Sequence, residues 1–252
     1  MANLYYREDL DADAFRVGSD LEIVGEEARH ALRVSRLRVG ERTAIGNSRG
    51  ALGAGEVVSA ERDRFIVRLD EVRIVPAPER TVALVQALAK GDRDERAVEQ
   101  ATEFGVDRIV PWQAERSVSR WDGAGGAEKS AKGVAKWRRV AREASKQSLR
   151  PRVPEVTEPI TLDGLCRAAE GGATVLVLHP AGARALSEHL AASGPGPDVL
   201  LVIGPEGGLS DHELTRLSAA GAEILRLGET VLRTSSAGPA ALAVLNVVLR
   251  RW

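Results

Sequence analysis

Residues 201–210 read Leu-Val-Ile-Gly-Pro-Glu-Gly-Gly-Leu-Ser, and residues 227–234 read Leu-Gly-Glu-Thr-Val-Leu-Arg-Thr. In each stretch a glycine-bearing segment follows a short apolar run, at residues 199–203 and 222–227 respectively. Apolar runs bounded by turn residues predict buried strands. Because ligands bind outside the carboxyl ends of strands in open α/β sheets, the two segments predict a shared pocket.

A third loop of this kind, His-Pro-Ala-Gly at residues 179–182, follows an apolar run at residues 174–178. Glycine lets a backbone approach a ligand closely, because it has no Cβ. Tight turns are the simpler interpretation of these loops, and for residues 179–182 it is the stronger one. Residues 204–208 favour a binding site, since three glycines and a proline surround the carboxylate of Glu206.

The common phosphate-binding patterns are missing from these loops. Neither Gly-x-Gly-x-x-Gly after the first strand nor Gly-x-x-x-x-Gly-Lys-Ser/Thr occurs in the sequence. Their absence counts against a nicotinamide-dependent dehydrogenase and against an NTPase. It leaves a ligand that is held mainly through main-chain amides and carbonyls.

Apolar runs and helical patterns also alternate upstream. Residues 81–88 and 106–112 are predicted strands, and the helix between them carries Asp92 and Glu95 at capping-box spacing before a stop at Gly105. Strands that alternate with helices predict a parallel α/β sheet. The apolar face of this first helix is predicted to consist of Ala97, Val98, Ala101 and Phe104.

The middle of the chain is glycine-rich and then basic. Residues 122–133 are rich in glycine, alanine and lysine and predict a mobile loop, and residues 137–148 follow as a basic helix. The net charge of the chain is only −1, but residues 129–152 hold nine Lys or Arg against one acid, Glu143, or about +8. A phosphate backbone interacts with the local charge of the surface that it contacts, so a basic segment indicates a nucleic-acid partner even in a nearly neutral chain.

Farther along the chain, Ser210 has the position of a helix N-cap.

The N-terminal part of the chain has a different pattern of apolar and polar residues. Short runs at residues 42–45, 55–58 and 64–69 mix branched or aromatic side chains with polar ones and predict strands. Residues 26–37 are more helical. A proline-containing stretch at residues 75–79 then predicts a linker. We therefore expect a small β-rich unit before the α/β sheet.

Composition excludes several classes of protein. With 44% hydrophobic and 28% charged residues, the 252-residue chain is typical of globular proteins. No apolar run reaches the roughly 18–20 residues that span a bilayer, and the first residues lack a signal-peptide layout. The single cysteine, Cys166, excludes an internal disulfide, and the four histidines lack metal-ligand spacing. We expect a cytoplasmic chain with no metal site and no membrane partner.

Residues 201–210 and 227–234 resemble the cofactor-binding pattern of the SPOUT methyltransferases, and most closely that of the RsmE family. Three further segments match the pattern of that family in the same order, namely residues 87–92, 101–106 and 143–151. They read Ala-Leu-Ala-Lys-Gly-Asp, Ala-Thr-Glu-Phe-Gly-Val and Glu-Ala-Ser-Lys-Gln-Ser-Leu-Arg-Pro. The resemblance covers nearly the whole chain and is weakest in the N-terminal part.

The resemblance implies S-adenosylmethionine as cofactor and methylation of the N3 atom of a uridine in small-subunit ribosomal RNA. It implies an α/β fold with a SPOUT-type parallel sheet and a C-terminal trefoil knot, preceded by a small PUA-like β-barrel. Residues 1–73 would be the PUA-like RNA-binding domain and residues 74–252 the methyltransferase domain. The implied partners are small-subunit ribosomal RNA, in the assembled subunit, and a second copy of the chain.

Within this resemblance the three loops would hold the cofactor. Arg233 is the candidate for stabilising the charge that develops on the uridine carbonyl oxygens or for orienting the base, and a structural ion pair is its alternative role. Glu206 would accept a proton or hold the amine of the cofactor, or else only stabilise its loop. The residues expected to bind S-adenosylmethionine are Leu178, His179, Ile203, Gly204, Pro205, Gly207, Gly208, Leu227, Gly228, Val231 and Leu232.

The basic helix is the candidate RNA surface, because three of its cations recur at i, i+4 and i+8 and form one stripe. A solvated charged face is the alternative interpretation. Gln147 and Arg150, just after this stripe, would reach the active site. Arg29, Arg33 and Arg36 of the N-terminal unit form a second basic patch. The residues expected to contact RNA are Arg138, Arg142, Lys146, Gln147, Arg150, Arg29, Arg33 and Arg36.

Two residues depart from the family pattern. Ser235 stands where the family often has glutamate, so no carboxylate is available at that position, whereas Phe104 replaces leucine and conserves hydrophobic volume. The missing carboxylate at position 235 leaves open an RNA-binding assembly factor without turnover. A SPOUT enzyme with another RNA target also stays open, because the target nucleotide is read by surface shape. Residues 240–249 are apolar nearly all round, which predicts a helix covered by its own domain or by a second subunit.

Overall fold

A computed structural model describes residues 3–123, 125–194, 196 and 198–252 of the chain. Contacts divide these residues into two compact units. The N-terminal unit comprises the described residues up to Pro78 together with Ser145–Val153. The C-terminal unit comprises the described residues of Glu79–Ala144 and Pro154–Trp252. The sequence did not indicate that a segment from the middle of the chain belongs to the N-terminal unit.

The N-terminal unit contains a five-stranded mixed sheet with the strand order β1-β3-β4-β5-β2. β1 pairs with β3 in parallel, and the other neighbours are antiparallel. A 3-10 turn at Ala12–Ala14 and helix α1 at Gly25–Arg33 accompany the sheet. The strands are β1 (Leu4–Tyr6), β2 (Asp20–Val24), β3 (Arg42–Gly46), β4 (Ala51–Ala60) and β5 (Arg64–Ile74).

Strict alternation explains why β5 forms a strand. Phe65, Val67 and Leu69 are buried, while Arg64 and Arg68 face solvent, as expected for a sheet with one apolar face. The pairing of β4 with β5 shifts register at two places, and such shifts favour a bent sheet, because an extra residue on one strand increases the local twist. The predicted β-rich unit is confirmed as a curled mixed sheet, consistent with a PUA-like barrel.

The C-terminal unit contains a seven-stranded sheet with the order β10-β12-β9-β11-β6-β7-β8. All six neighbouring pairs are parallel, which confirms the parallel sheet that the sequence predicts. Its strands are β6 (Val82–Ala87), β7 (Arg108–Trp112), β8 (Glu155–Val156), β9 (Thr174–Leu178), β10 (Arg184–Ala185), β11 (Val199–Ile203) and β12 (Glu223–Arg226).

Helices connect these strands, and the sheet is buried on both faces. In β11, Leu201 and Ile203 pack into one apolar cluster, whereas Leu200 and Val202 pack into another. A central strand of this kind reads as a continuous apolar run, which is why the pattern was visible in the sequence. The helices are α2 (Arg93–Glu103), α3 (Gly126–Gln147), α4 (Leu162–Glu170), α5 (Leu186–Ser193), α6 (Asp211–Ala219) and α7 (Thr234–Val248).

Two local expectations were wrong. α3 begins at Gly126, so most of the predicted loop at residues 122–133 is helical; Ala124, within that stretch, lies outside the described residues. A Glu128–Lys132 ion pair at i, i+4 supports this first part of the helix. Gly133 suits the helix because the Trp121 ring occupies the space that a Cβ would take.

The capping box expected at the start of α2 is also absent. Asp92 makes no capping hydrogen bond, because its backbone (φ −107°, ψ 13°) is not in the extended conformation that an N-cap adopts. Its carboxylate instead pairs with Arg96 at 2.9 Å. The buried carboxylate of Asp94 accepts hydrogen bonds from the backbone N–H groups of Ala89 and Glu95 at 3.2 and 2.8 Å. The apolar face of α2 and its stop at Gly105, with φ +84°, are confirmed.

The apolar C-terminal helix α7 packs mainly against α2. Leu242 and Leu245 are buried in its core face, whereas Val247 and Val248 are exposed. Its one polar residue within 240–249, Asn246, is 2% exposed and donates from Nδ2 to the Phe104 carbonyl oxygen at 2.7 Å. None of the described helices is long and apolar enough to cross a membrane. The trefoil knot implied by the resemblance stays a prediction.

Asn246→Leu keeps the branching at Cγ but replaces the amide by two methyl groups, and so leaves the Phe104 carbonyl without this donor. We expect a loss of about 1–3 kcal/mol in the free energy of unfolding, because a buried acceptor is left unsatisfied. Urea unfolding measures this, with Val118→Ala, at an exposed residue of the same unit, as a control that should change by less than about 0.5 kcal/mol. Equal stability of the two variants would contradict the assigned hydrogen bond.

Candidate functional site

The three glycine-bearing loops meet at the carboxyl ends of β9, β11 and β12. They line one cavity of about 540 Å³, within the size range of small-molecule sites. From residues 179–182, His179 and Pro180 belong to the lining. The lining also contains Arg233, Glu206 and all eleven residues expected to bind the cofactor: Leu178, His179, Ile203, Gly204, Pro205, Gly207, Gly208, Leu227, Gly228, Val231 and Leu232.

A hydroxyl group ties the loop after β11 to the start of α7. The Thr234 hydroxyl donates to the Gly204 carbonyl oxygen at 2.7 Å and accepts a hydrogen bond from Nε2 of Gln86 at 2.9 Å. Thr234 is 6% exposed, and Gln86, in β6, is fully buried. These bonds fix the backbone around Arg233, which is the N-cap residue of α7.

The far end of the same loop is fixed by a capping box. The Ser210 hydroxyl accepts from the Glu213 N–H at 3.0 Å, and the Glu213 carboxylate accepts from the Ser210 N–H at 2.8 Å. This confirms the N-cap predicted at Ser210. Glu213 is 1% exposed, and its other oxygen accepts the N–H of Glu115, in the loop after β7, at 2.8 Å. One buried carboxylate thus joins the loops after β11 and β7.

The Glu206 side chain faces the loop after β6. Its Oε1 accepts from the Lys90 N–H at 3.0 Å and from the Arg93 guanidinium at 2.7 Å. Burial by itself would raise the pKa of Glu206, but hydrogen bonds from its own backbone, Arg93 and Lys90 outweigh burial and lower the pKa. A carboxylate with a lowered pKa is a weak proton acceptor, so this geometry favours the loop-stabilising role.

The cavity lining is cationic, a property that the sequence did not indicate. Arg93, Arg116, Arg226 and Arg233 line it against one acid, Glu206, which gives a formal charge of +3 with His179 neutral. Three of these arginines were missed because they lie outside the glycine motifs. The available signal was position, since Arg93 and Arg116 follow β6 and β7, whose carboxyl ends lie at the same sheet edge.

His179 is held neutral at the cavity wall. Burial lowers its pKa most, the positive charge of Arg116 lowers it further, and the negative charge of Asp211 opposes both. Its Nδ1 accepts a hydrogen bond from the Ala181 N–H at 3.2 Å. In the neutral ring the proton therefore resides on Nε2, which acts as a donor.

The residues expected to contact RNA are spread over both units. In the N-terminal unit Arg29, Arg33 and Arg36 are exposed, and Arg29 lies 4.0 Å from the Glu26 carboxylate. Lys146 belongs to the same unit and pairs with Glu27 at 3.2 Å, with 13% of its side chain exposed. A mostly buried, paired ammonium is less available to a phosphate than an exposed one.

The other candidates on or near α3 differ in exposure. Arg138 is exposed, and its guanidinium bonds to the Val156 carbonyl oxygen at 3.1 Å and lies 3.5 Å from Glu158. Arg142 pairs with Glu143 at 3.4 Å. Gln147 is exposed and Arg150 is half-buried. The continuous stripe therefore stays a prediction, since its members face different partners.

Ser235 and Cys166 both lie outside the cavity lining. Ser235 lies in the first turn of α7 and outside the cavity lining, so its hydroxyl does not replace a carboxylate there. Cys166 is buried, as expected for a small apolar residue. Within the described part of the chain, no cluster of three or more His, Cys, Asp or Glu side chains is placed to hold a metal.

This architecture defines a class: a ligand-binding α/β protein whose cavity lies at the carboxyl edge of a parallel sheet, with a separate β-rich unit. Comparison with known proteins narrows the class. The RNA methyltransferase domain family matches residues 76–246, and the RNA methyltransferase PUA domain family matches residues 23–70. The chain belongs to the RNA methyltransferase family that these two domains define.

Individual relatives agree with this assignment. The ribosomal RNA small subunit methyltransferase E of Mycobacterium tuberculosis is 39% identical, over 100% of this chain and 94% of that protein. A Legionella pneumophila methyltransferase structure with bound S-adenosylmethionine is similar at a TM-score of 0.82 and 31% identity, covering 98% of each chain. The fold also matches the Neisseria gonorrhoeae ribosomal RNA small subunit methyltransferase E, at a TM-score of 0.81, 24% identity and 98% coverage of each chain.

Two glycines of the lining allow a matched test of the cofactor expected from the sequence. A Cβ on Gly228 meets nothing within 4 Å, so Gly228→Ala should fold normally and lose S-adenosylmethionine affinity tenfold or more if the ligand backs onto this loop. A Cβ on Gly207 would lie 3.1 Å from the Arg116 Cβ and 3.3 Å from its carbonyl oxygen. Gly207→Ala should therefore cost about 1–3 kcal/mol of stability by overpacking, whatever the ligand does.

Calorimetric titration with S-adenosylmethionine and urea unfolding of both variants separate these effects. Unchanged affinity in a stable Gly228→Ala variant would remove residues 228–234 from the cofactor contact surface.

Proposed function

We propose that this chain transfers a methyl group from S-adenosylmethionine to the N3 atom of a uridine in small-subunit ribosomal RNA. One observation carries the proposal: a single cavity gathers all thirteen residues that the family pattern assigns to cofactor binding and catalysis. Its apolar walls (Leu178, Ile203 and Leu227) suit an adenine ring, and the open space beside Gly228 suits close approach of a ligand. S-adenosylmethionine therefore fits the residues present, and when bound it supplies an electrophilic methyl group.

Arg233 is proposed to stabilise the charge on the target base. Uridine N3 must lose its proton before it is methylated, and negative charge then spreads to the flanking carbonyl oxygens. A fixed guanidinium beside those oxygens stabilises that charge, more strongly in a site that excludes water. Thr234 supports this role, because its hydrogen bonds to Gly204 and Gln86 hold the adjacent backbone in place.

Glu206 is proposed to act on the shape of the site. Its bonds to the Lys90 N–H and Arg93 fasten the loop after β11 to the loop after β6. A loop held in place aligns the reacting groups before the reaction. Such alignment supplies much of the rate enhancement in a transfer between two bound molecules. The neutral His179 imidazole adds a hydrogen-bond donor at the cavity wall.

RNA contact is proposed for two sets of residues. The exposed Arg29, Arg33 and Arg36 of the N-terminal unit suit phosphate contacts. The other proposed RNA contacts are Arg138 and Arg142 of the C-terminal unit and Lys146, Gln147 and Arg150 of the N-terminal unit, and Arg138 is the most exposed of the cations among them. We also propose that the protein acts in the cytoplasm on the assembled small subunit, and that the target base leaves its helix to reach the cavity.

Arg233→Gln tests the proposed role of the guanidinium. Removal of one transition-state donor should lower kcat about 100- to 1000-fold, with little change in S-adenosylmethionine affinity. Methyl transfer to small subunits isolated from a strain lacking the gene measures kcat, and mass mapping of the RNA identifies the methylated atom. Arg167→Gln, on the exposed side of α4, is the charge-matched control.

Each outcome of this experiment decides between functions. Full activity of Arg233→Gln would remove Arg233 from the chemistry. Methylation of another atom or nucleotide would favour a different RNA target. Wild-type protein that binds S-adenosylmethionine and RNA without any transfer would favour an assembly factor, the function that Ser235 in place of glutamate kept open.

A second copy of the chain is proposed to cover the end of α7. Val247 is 63% exposed and Val248 37% exposed on a helix that is otherwise apolar, and an isolated surface helix normally has a polar face. In a two-fold interface one surface meets its own copy, so a single substitution acts twice.

Val248→Asp should therefore dissociate the dimer, because it buries two unpaired carboxylates at a cost on the order of several kcal/mol. Val244 is less suitable for this test, since it packs against the core of its own unit. Sedimentation at micromolar concentration measures the oligomeric state, and Val17→Asp, at a residue 70% exposed in the N-terminal unit, is the control. A wild type that sediments as a monomer and methylates at full rate would refute the dimer.

A further inference from the structure

Arg116 lies in the loop after β7, and the fold holds its backbone from two sides. The preceding N–H, that of Glu115, donates to the buried Glu213 carboxylate at 2.8 Å. On the other side Gly207 is packed against it, so closely that a Cβ there would lie 3.1 Å from the Cβ of Arg116. A buried carboxylate and a glycine therefore fix where this arginine leaves the backbone.

The Arg116 guanidinium has few partners among the described residues. Within the described part of the chain it makes one long hydrogen bond, to the Gly207 carbonyl oxygen at 3.3 Å, and no ion pair. The adjacent Glu115 carboxylate pairs with His212 at 2.7 Å instead. Arg116 is exposed and lines the cavity. An arginine with a fixed backbone and spare donors is suited to bind a planar or tetrahedral anion.

The other cations of the cavity already have partners or a proposed role. Arg93 is paired with Glu206 at 2.7 Å. Arg226 donates to the carbonyl oxygens of Ala183 and Gly182 at 2.6 and 3.2 Å. Arg233 is proposed to stabilise the charge on the target base. Arg116 is therefore the remaining cation, in a cavity of formal charge +3, with capacity for a further anionic group.

We propose that Arg116 binds a backbone phosphate of the RNA strand next to the target nucleotide, and so positions that nucleotide over the cofactor loop. This inference rests on the proposed function, since it assumes an RNA substrate in this cavity. S-adenosylmethionine carries a net positive charge of its own, so it does not neutralise the cationic lining. A backbone phosphate carries one negative charge and offsets part of that positive charge, and half or more of the hydrogen bonds between protein and DNA go to the backbone.

The position of Arg116 favours a phosphate over the base. The target base must reach the methyl donor inside the cavity, whereas its charged phosphates favour contact with solvent, to which Arg116 is exposed while it lines the cavity. The guanidinium also lies near enough to His179 that its positive charge, after burial, lowers the pKa of that ring. Arg116 is thus a positioning residue for the substrate.

Arg116→Gln tests the proposal, with Arg120→Gln as the matched control. Arg120 belongs to the same segment but lies outside the cavity lining and pairs with Asp122 at 2.8 Å. Binding of purified small subunits is measured at several salt concentrations. Arg116→Gln should weaken this binding about ten- to hundredfold, the usual effect of losing a charge-assisted hydrogen bond. The slope of log affinity against log salt should fall by about 0.7–0.9.

Calorimetry with S-adenosylmethionine alone shows whether Arg116 binds the cofactor or the RNA. The affinity of Arg116→Gln for S-adenosylmethionine should stay within about twofold of the wild type. Its KM for the subunit should rise more than its kcat falls. Arg116→Lys keeps the charge and should retain most of the salt slope. A merely structural role predicts lower stability in both variants with an unchanged salt slope, and that result overturns the proposal.

Two other results also overturn the proposal. Lost S-adenosylmethionine affinity in Arg116→Gln would assign this arginine to the cofactor, and subunit binding equal to that of Arg120→Gln would leave it no role in RNA contact. NMR titration of His179 checks the geometry, because its pKa should rise in Arg116→Gln but not in Arg116→Lys. Failure of the proposed function is seen separately: mass mapping would then find no N3-methyluridine, while the binding experiment could still succeed.

Discussion

The cavity depends on a buried hydrogen-bond chain that runs from Gln86 through the Thr234 hydroxyl to the Gly204 carbonyl oxygen. The three groups belong to a central strand, the first turn of the last helix and the loop with the glycine motif. Buried polar groups of this kind are costly when unpaired, so the arrangement strongly favours one register of α7 against the sheet. That register places Arg233 and the loop of residues 228–234 opposite residues 204–208.

The buried carboxylate of Glu213 has a comparable effect on the opposite side of the same loop. It satisfies the N–H groups of Ser210 and Glu115 at once, and so couples the start of α6 to the loop after β7. Together with Glu206, which fastens the loop after β6, it makes the glycine-rich loop a fixed structure. Glycines that allow close approach are useful to a ligand only when the surrounding backbone is held in this way.

Sequence patterns predicted the elements that are regular and the loops that follow them. The strand at Val199–Ile203 was visible because burial on both faces requires a continuous apolar run. Tertiary contacts were not visible. The start of α3 was missed because Gly133 is present for Trp121 rather than for a loop. Likewise the pairing of Glu206 with Arg93 spans 113 positions, and no local pattern predicts a partner at that distance.

The distance along the chain between Gln86 and Thr234, 148 positions, also bears on how the protein folds. A contact of this kind forms only after a long stretch of chain has been closed, and the entropy lost in closing it makes such topologies slow to fold. During synthesis the residues of α7 leave the ribosome after all the strands. Strands β6 to β12 can therefore begin to pair before α7 is available, so the sheet starts to assemble before the ligand cavity exists.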